Sequence, residues 1–106
     1  MNETLVLTEA TYYILLSLTE PRHGYGIMQE VEMMSRGRVR LAAGTLYGAL
    51  TQMCDRKWIR PLPVAEGSRK KEYQITDKGL SILRDEIERL QELVENGESV
   101  LGDHYE

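Results

Sequence analysis

The chain has 106 residues, enough for one domain around a single core. Its 42% apolar and 28% charged residues are ordinary for a water-soluble globular protein, and no apolar run approaches the roughly 18 residues of a transmembrane helix. The net charge of −4 hides an asymmetry: Arg36–Lys71 holds nine basic and two acidic residues, net +7, while the remainder carries −11. Phosphate binding follows local potential, so the acidic average does not exclude a nucleic-acid partner. A solvated basic face without a partner is the other reading of the same charges. Met1–Leu7 has neither the basic start nor the small-residue cleavage site of a secretory signal. Cys54 is the one cysteine and cannot close an intramolecular disulfide, which points to a reducing, cytoplasmic setting.

In chain order, the first predicted helix runs from about Thr8 to Thr19, with Thr8 as N-cap, Glu9 in the first turn and Pro21 beyond its end. Its middle, Tyr12-Tyr13-Ile14-Leu15-Leu16, is apolar around most of the circumference and needs cover on more than one side, so Tyr12 and Leu16 are candidates for contact with a second subunit. A second helix follows His23-Gly24 and reaches about Ser35, with Ile27, Met28, Val31 and Met34 forming an inward stripe. Arg36-Gly37-Arg38 reads as a turn and Val39–Leu41 as a short extended piece. Arg36, Arg38 and Arg40 either line a nucleic acid or solvate the turn.

The third helix is expected over Ala43 to about Arg56, burying Leu46, Ala49, Leu50 and Met53. At about 100° per residue, Gly44, Gly48, Thr51, Gln52 and Asp55 lie opposite that stripe, with Thr45, Tyr47 and Arg56 on its flanks. The outer face is small and polar, and each internal glycine costs a helix roughly 1 kcal/mol relative to Ala. Close approach of another backbone is one reason for them; a position at the helix start, where Gly44 costs little, is another. Extended runs follow at Trp58–Val64 and Lys70–Thr76, joined by a Gly- and Ser-containing loop, and Pro61 and Pro63 confine the first run to a sheet edge. Arg69-Lys70-Lys71 stands at the tip of this hairpin.

The last helix starts near Thr76 or Asp77. Leu80, Leu83, Ile87, Leu90 and Val94 follow at spacings 3, 4, 3 and 4, a heptad seam; Asn96-Gly97 offers a stop, while Leu101 falls in register for a helix that runs on past it. Such a helix either packs on its own domain or pairs with a second copy; the strict spacing, its length and the over-apolar first helix favour pairing. Helices, a basic hairpin and a closing helix in this order form a mainly α fold with a small β-hairpin wing: a winged helix-turn-helix over residues 1–76 and a dimerisation helix with its tail over 77–106. One α-helix fits the DNA major groove and meets base edges there. His23, Cys54 and His104 lack metal-ligand spacing, and there is no nucleophile elbow or phosphate loop, so neither metal, cofactor nor catalysis is expected. The alternative from another class is a protein-interaction module, with a structural winged helix and a last helix that recruits a partner by coiled-coil pairing.

Four blocks sharpen this reading: His23-Gly24-Tyr25-Gly26-Ile27, Ala43-Gly44-Thr45-Leu46-Tyr47-Gly48-Ala49-Leu50, Lys57-Trp58-Ile59, and Arg69-Lys70-Lys71-Glu72-Tyr73-Gln74-Ile75-Thr76 with Gly79. In this order and spacing, from about Leu7 to Leu93, the chain resembles the PadR family of transcriptional regulators, in its small branch with one C-terminal helix. The resemblance implies a homodimeric repressor on a pseudo-palindromic operator, released by a small-molecule or stress signal. By the same likeness Ala43–Arg56 is the recognition helix with Thr45, Tyr47, Gly48 and Gln52 near DNA, while Tyr25, Arg69, Lys70 and Lys71 contact phosphates. Three departures stand out. Ser81–Gly97 contains no aromatic residue with which to stack a planar drug, Lys57 stands where the family usually has Gly, and Ala42 lacks a Ser-type cap.

Overall fold

In the computed structural model, which describes residues 5–64, 66–102 and 104, Thr8 caps the first helix as expected. Its side-chain oxygen accepts the Thr11 N–H at 3.1 Å, and α1 spans Glu9–Ser17. His23 caps α2 (Gly24–Met34) in the same way, its Nδ1 accepting the Gly26 N–H at 3.3 Å. Ala42 has no side-chain acceptor, so α3 (Ala43–Asp55) begins without a side-chain cap. The remaining elements are β1 (Arg22–His23), β2 (Ile59–Pro61), β3 (Glu72–Ile75) and α4 (Asp77–Gly102).

Ile14, Leu15 and Leu18 from α1 and its end, Ile27 and Val31 of α2, and Leu46, Leu50 and Met53 of α3 meet in one core. Trp58, Ile59, Tyr73 and Ile75 close it from the sheet side and Leu83 from α4. Each fully buried Leu or Ile contributes roughly 1.5–3 kcal/mol relative to exposure, which is what holds the short sheet against the helices.

The sheet departs from expectation. Val39–Leu41, the expected extended piece, stays outside the sheet, and Ser35 Oγ takes the Val39 N–H at 2.9 Å. The third strand is β1, and the order is β1-β3-β2, antiparallel throughout, with Arg22 opposite Tyr73 and Ile59 opposite Ile75. The two hairpin strands are also shorter than their extended runs. Pro61 and Pro63 have no N–H to donate, so the ladder fades after the Leu62 N–H bond to the Glu72 carbonyl at 2.9 Å. Ala65, part of the expected hairpin loop, lies outside the described residues.

Asn96-Gly97 does not stop the last helix, which continues to Gly102. A glycine stop works by adopting a left-handed conformation. Among the described residues only Gly37 and Gly67 do so among the glycines, at φ 80° and 82°, joined by Arg36 at 55° and Lys57 at 64°. The expected boundary between residues 76 and 77 falls inside a packed joint, since Thr76 and the buried Gly79 fasten the head of α4 to the turn that follows α3.

Farther along α4, Glu86 is a buried acid, 3% exposed. Arg89 donates to both of its oxygens at 2.6 and 2.8 Å, and the Leu7 N–H donates at 3.2 Å. This cluster ties the segment before α1 to α4.

Candidate nucleic-acid interface

The α3 face opposite the core is bare. Gly44, Thr45, Tyr47, Gly48, Thr51 and Gln52 are all exposed. A Cβ placed on Gly44 or Gly48 would meet nothing within 4 Å, so neither glycine is required by packing inside the protomer. Gly44 is the second residue of α3, where a glycine costs little, but the roughly 1 kcal/mol penalty of the internal Gly48 is not offset there, whereas a missing side chain lets a second surface approach the helix backbone. Thr51 donates its hydroxyl to the Tyr47 carbonyl at 2.9 Å, and its oxygen can still accept a hydrogen bond.

Beside this face runs a groove of about 470 Å³ lined by His23, Gly24, Tyr25, Tyr47, Arg69, Lys70, Lys71 and Tyr73. Its assembly depends on β1. Pairing of His23 with Glu72 draws the start of α2 against the base of the wing, so Tyr25 and the three cations share one wall system although 44 or more positions separate them in the chain. Tyr47, half exposed at 51%, lies over Gly24, where a Cβ would overlap its hydroxyl and stand 2.9 Å from Cζ. Gly24 is therefore the seat of the Tyr47 ring. Lys71 Nζ sits 5.7 Å from the centre of the Tyr73 ring, a cation–π contact that orients its ammonium. Arg69 and Lys70 are exposed on the wing, beyond the left-handed turn at Gly67.

The turn arginines behave differently. Arg40 pairs with Glu32 of α2 at 3.2 Å, and Arg38 pairs with Glu9 of α1. Two charges of the basic segment are thus partly neutralised by acids outside it, and Arg40 is not among the groove-lining residues. Arg56 lays its guanidinium over Trp58 at 5.0 Å, and the 6%-exposed Trp58 ring belongs to the core. Burial raises the Cys54 thiol pKa above its ordinary value, with Lys71 opposing and Asp55 adding to the rise, so Cys54 stays a protonated, weakly nucleophilic thiol.

The expected pairing surface divides in two. Leu83 turns into the protomer's own core, and Leu80, Leu90, Tyr12 and Leu16 are half-buried. Ile87 and Val94 stand out at 38% and 57% exposure. Tyr12, Ile87, Leu90, Gln91, Val94 and Glu95 line an open groove of about 390 Å³, and beyond it Leu93, Val100 and Leu101 are exposed on the free half of α4. The heptad is therefore divided: its proximal turns pack on the domain, and its distal turns have no cover from the described residues of the chain.

Sequence reasoning missed β1, the seating of Tyr47 on Gly24, and Glu86. A two-residue strand has no periodicity to detect, and contact between α2 and α3 is a tertiary fact. Glu86 flanks the heptad seam just before Ile87, a position ordinarily filled by a solvated charge, so nothing in the sequence signals its burial. Among the described residues, no group of three His, Cys, Asp or Glu side chains is placed to hold a metal ion. Among the same residues, no helix is long and apolar enough to cross a membrane.

Residues 14–85 match the model of the transcriptional regulator PadR-like family. A PadR family transcription regulator from Clostridium difficile superposes with a TM-score of 0.71 at 22% identity, over 92% of this chain and 98% of that one. Bacillus subtilis PadR, solved in complex with operator DNA, gives a TM-score of 0.61 at 26% identity, over 71% of this chain and 44% of that one. A curated relative, an uncharacterized 37.1 kDa protein in a transposon of Streptomyces fradiae, is 33% identical over 86 residues. The match takes in 80% of this chain but 24% of that protein's length.

Proposed function

This chain belongs to the PadR-like family of transcriptional regulators, and from that premise we propose that it is a homodimeric repressor that binds a pseudo-palindromic operator through α3 and the wing. The observation that carries this reading is the bare outer face of α3, with Gly44 and Gly48 open to solvent, set beside the groove of Tyr25, Tyr47 and Arg69-Lys70-Lys71. Thr45, Gly48, Thr51 and Gln52 meet the base edges, while Tyr25, Tyr47, Arg69, Lys70 and Lys71 hold phosphates. Arg40, whose Nε pairs with Glu32, joins them through its remaining guanidinium donors. Bacillus subtilis PadR, a relative with an operator complex, supports the same use of the fold.

The second copy is recruited through the uncovered face of Tyr12, Ile87, Leu90 and Val94, which places two reading surfaces about one helical turn of DNA apart. A small-molecule or stress signal that perturbs this face releases the operator. The protein works in the reducing cytoplasm, where its single thiol needs no partner.

Selection of binding sites from genomic fragments, followed by fluorescence anisotropy across a salt series, tests the reading. An inverted repeat with strongly salt-dependent affinity is expected. Replacing Lys70 and Lys71 together by Ala lowers the log–log salt slope by about 2 with base preference unchanged. Failure to enrich any sequence at moderate salt, with folded protein, would sink the proposal. The coiled-coil recruitment alternative makes the opposite forecast, a monomer that ignores DNA at low salt.

A further inference from the structure

The joint between the recognition helix and the last helix is built more tightly than an N-cap alone requires. The α4 helix begins at Asp77, and Thr76 just before it supplies its hydroxyl to three backbone groups at once. Thr76 Oγ1 shares its one hydroxyl proton between the Lys57 carbonyl at 2.6 Å and the Trp58 carbonyl at 2.9 Å, and accepts the Gly79 N–H at 3.1 Å. The Thr76 N–H also donates to the Trp58 carbonyl at 2.9 Å. Lys57 and Trp58 are the two residues that follow Arg56, the C-cap of α3, and Lys57 makes the reversal there with φ 64°. Gly79 completes the contact: a Cβ at this position would overlap the Trp58 carbonyl oxygen and lie 2.6 Å from Ile75 Cγ1. The head of α4 is thus bolted to the end of α3 at the base of the wing, next to the Ile59–Ile75 pair, without passing through the wing tip.

From this geometry we infer that Thr76 and Gly79 are positioning residues for operator choice: they set the angle between α4 and α3 and so the spacing of half-sites the dimer accepts. The inference rests on the dimeric DNA-binding reading above. Its force comes from leverage. Thr45 lies 11 residues up α3 from Arg56, about 16 Å at the helical rise per residue. With α4 held by its partner, a tilt of about 10° at the joint moves Thr45 by about 3 Å, and the two-fold doubles this to about 6 Å. One base pair advances the duplex by about 3.4 Å. A joint loosened by a few degrees therefore blurs the distinction between adjacent spacings, while the base-reading side chains stay as they were.

The test is selection from a library of inverted half-sites whose spacer varies one base pair at a time, with dimer mass followed by light scattering. A wild-type protein that is monomeric or selects no inverted repeat removes the dimeric reading, and the inference falls with it. With a wild-type spacing in hand, Thr76→Val is expected to select the same half-site bases, but its preference over spacers one base pair longer or shorter falls about fivefold, one hydrogen bond's worth of stiffness. Thr76→Ser, which keeps the hydroxyl, retains the wild-type preference. Gly79→Ala, if folded, shifts the preferred spacer, because the Trp58 carbonyl cannot yield without moving α4. A folded, dimeric Thr76→Val with undiminished spacer preference overturns the inference for a dimer that otherwise behaves as proposed. Loss of folding in both Thr76→Val and Gly79→Ala assigns the joint to stability alone and overturns it equally.

Discussion

Replacing Glu86 by Gln isolates the one buried carboxylate among the described residues. All three groups around it are donors: Arg89 Nε at 2.6 Å, Arg89 Nη2 at 2.8 Å and the Leu7 N–H at 3.2 Å. A glutamine offers one oxygen and one NH2. If its oxygen keeps Leu7 and Nη2, its NH2 faces Arg89 Nε donor to donor, and the guanidinium must swing toward solvent, which its 20% exposed side chain allows. Losing a charge-assisted hydrogen bond costs about 1.5–3 kcal/mol, and rehydration of Arg89 places the expected loss near about 2 kcal/mol. Glu86→Ala, which also opens a void and leaves the Leu7 N–H bare, costs more.

The same cluster predicts a pH dependence. Hydrogen bonding to Arg89 holds the Glu86 pKa below the ordinary carboxylate value; burial opposes this, and the Leu7 N–H and the Arg89 charge add to it. The folded state therefore releases this proton more readily than the unfolded chain. The contribution is complete above the unfolded pKa of about 4.3 and is lost as pH falls through the lower folded value. Urea melts of wild type and Glu86→Gln at equal protein concentration, at pH 7 and near pH 3, measure both effects. The gap should be about 2 kcal/mol at neutral pH and should shrink in acid. A gap below about 0.5 kcal/mol at pH 7, well under one charge-assisted hydrogen bond, or one that widens in acid, refutes the account.

Lys57→Gly relieves a left-handed residue at φ 64°. The strain relieved, roughly 1 kcal/mol, outweighs the added freedom of the unfolded chain, so a rise of about 0.5 kcal/mol in urea stability is expected, and a fall would count against it. Gly24→Ala meets only the far end of the Tyr47 side chain, so the melting temperature should hold while the displaced ring lowers DNA affinity in anisotropy titrations; unchanged affinity removes Tyr47 from the interface. Ile87→Asp puts a charge on a side chain 38% exposed in the protomer, so it should dissociate the dimer without unfolding it, as scattering mass and circular dichroism together report.

Much of this was legible one residue at a time. Thr8, the Ile27–Val31 stripe and the Leu46–Leu50–Met53 stripe each announce a helix by local chemistry, because capping and helical periodicity are properties of neighbours in the chain. The cation cluster at Arg69-Lys70-Lys71 and the small outer face of α3 were visible for the same reason. Gly97 misled, since its sequence context matches a stop, but only the backbone it sits in determines whether it turns left-handed.

The sequence by itself determined the order of the helices, the hairpin, the basic segment and the heptad on the last helix. Tertiary structure alone decided that Arg22–His23 joins the sheet and brings Tyr25 to the wing, and that Arg38 and Arg40 are engaged by Glu9 and Glu32. It also decided that the heptad divides, Leu83 inward and Val94 outward, and that Thr76 and Gly79 bolt α4 to the end of α3. The physical reason is range. Caps and stripes are settled within a few residues, whereas a strand partner, an ion pair across helices or a glycine that admits a carbonyl exists only once distant segments share the same space.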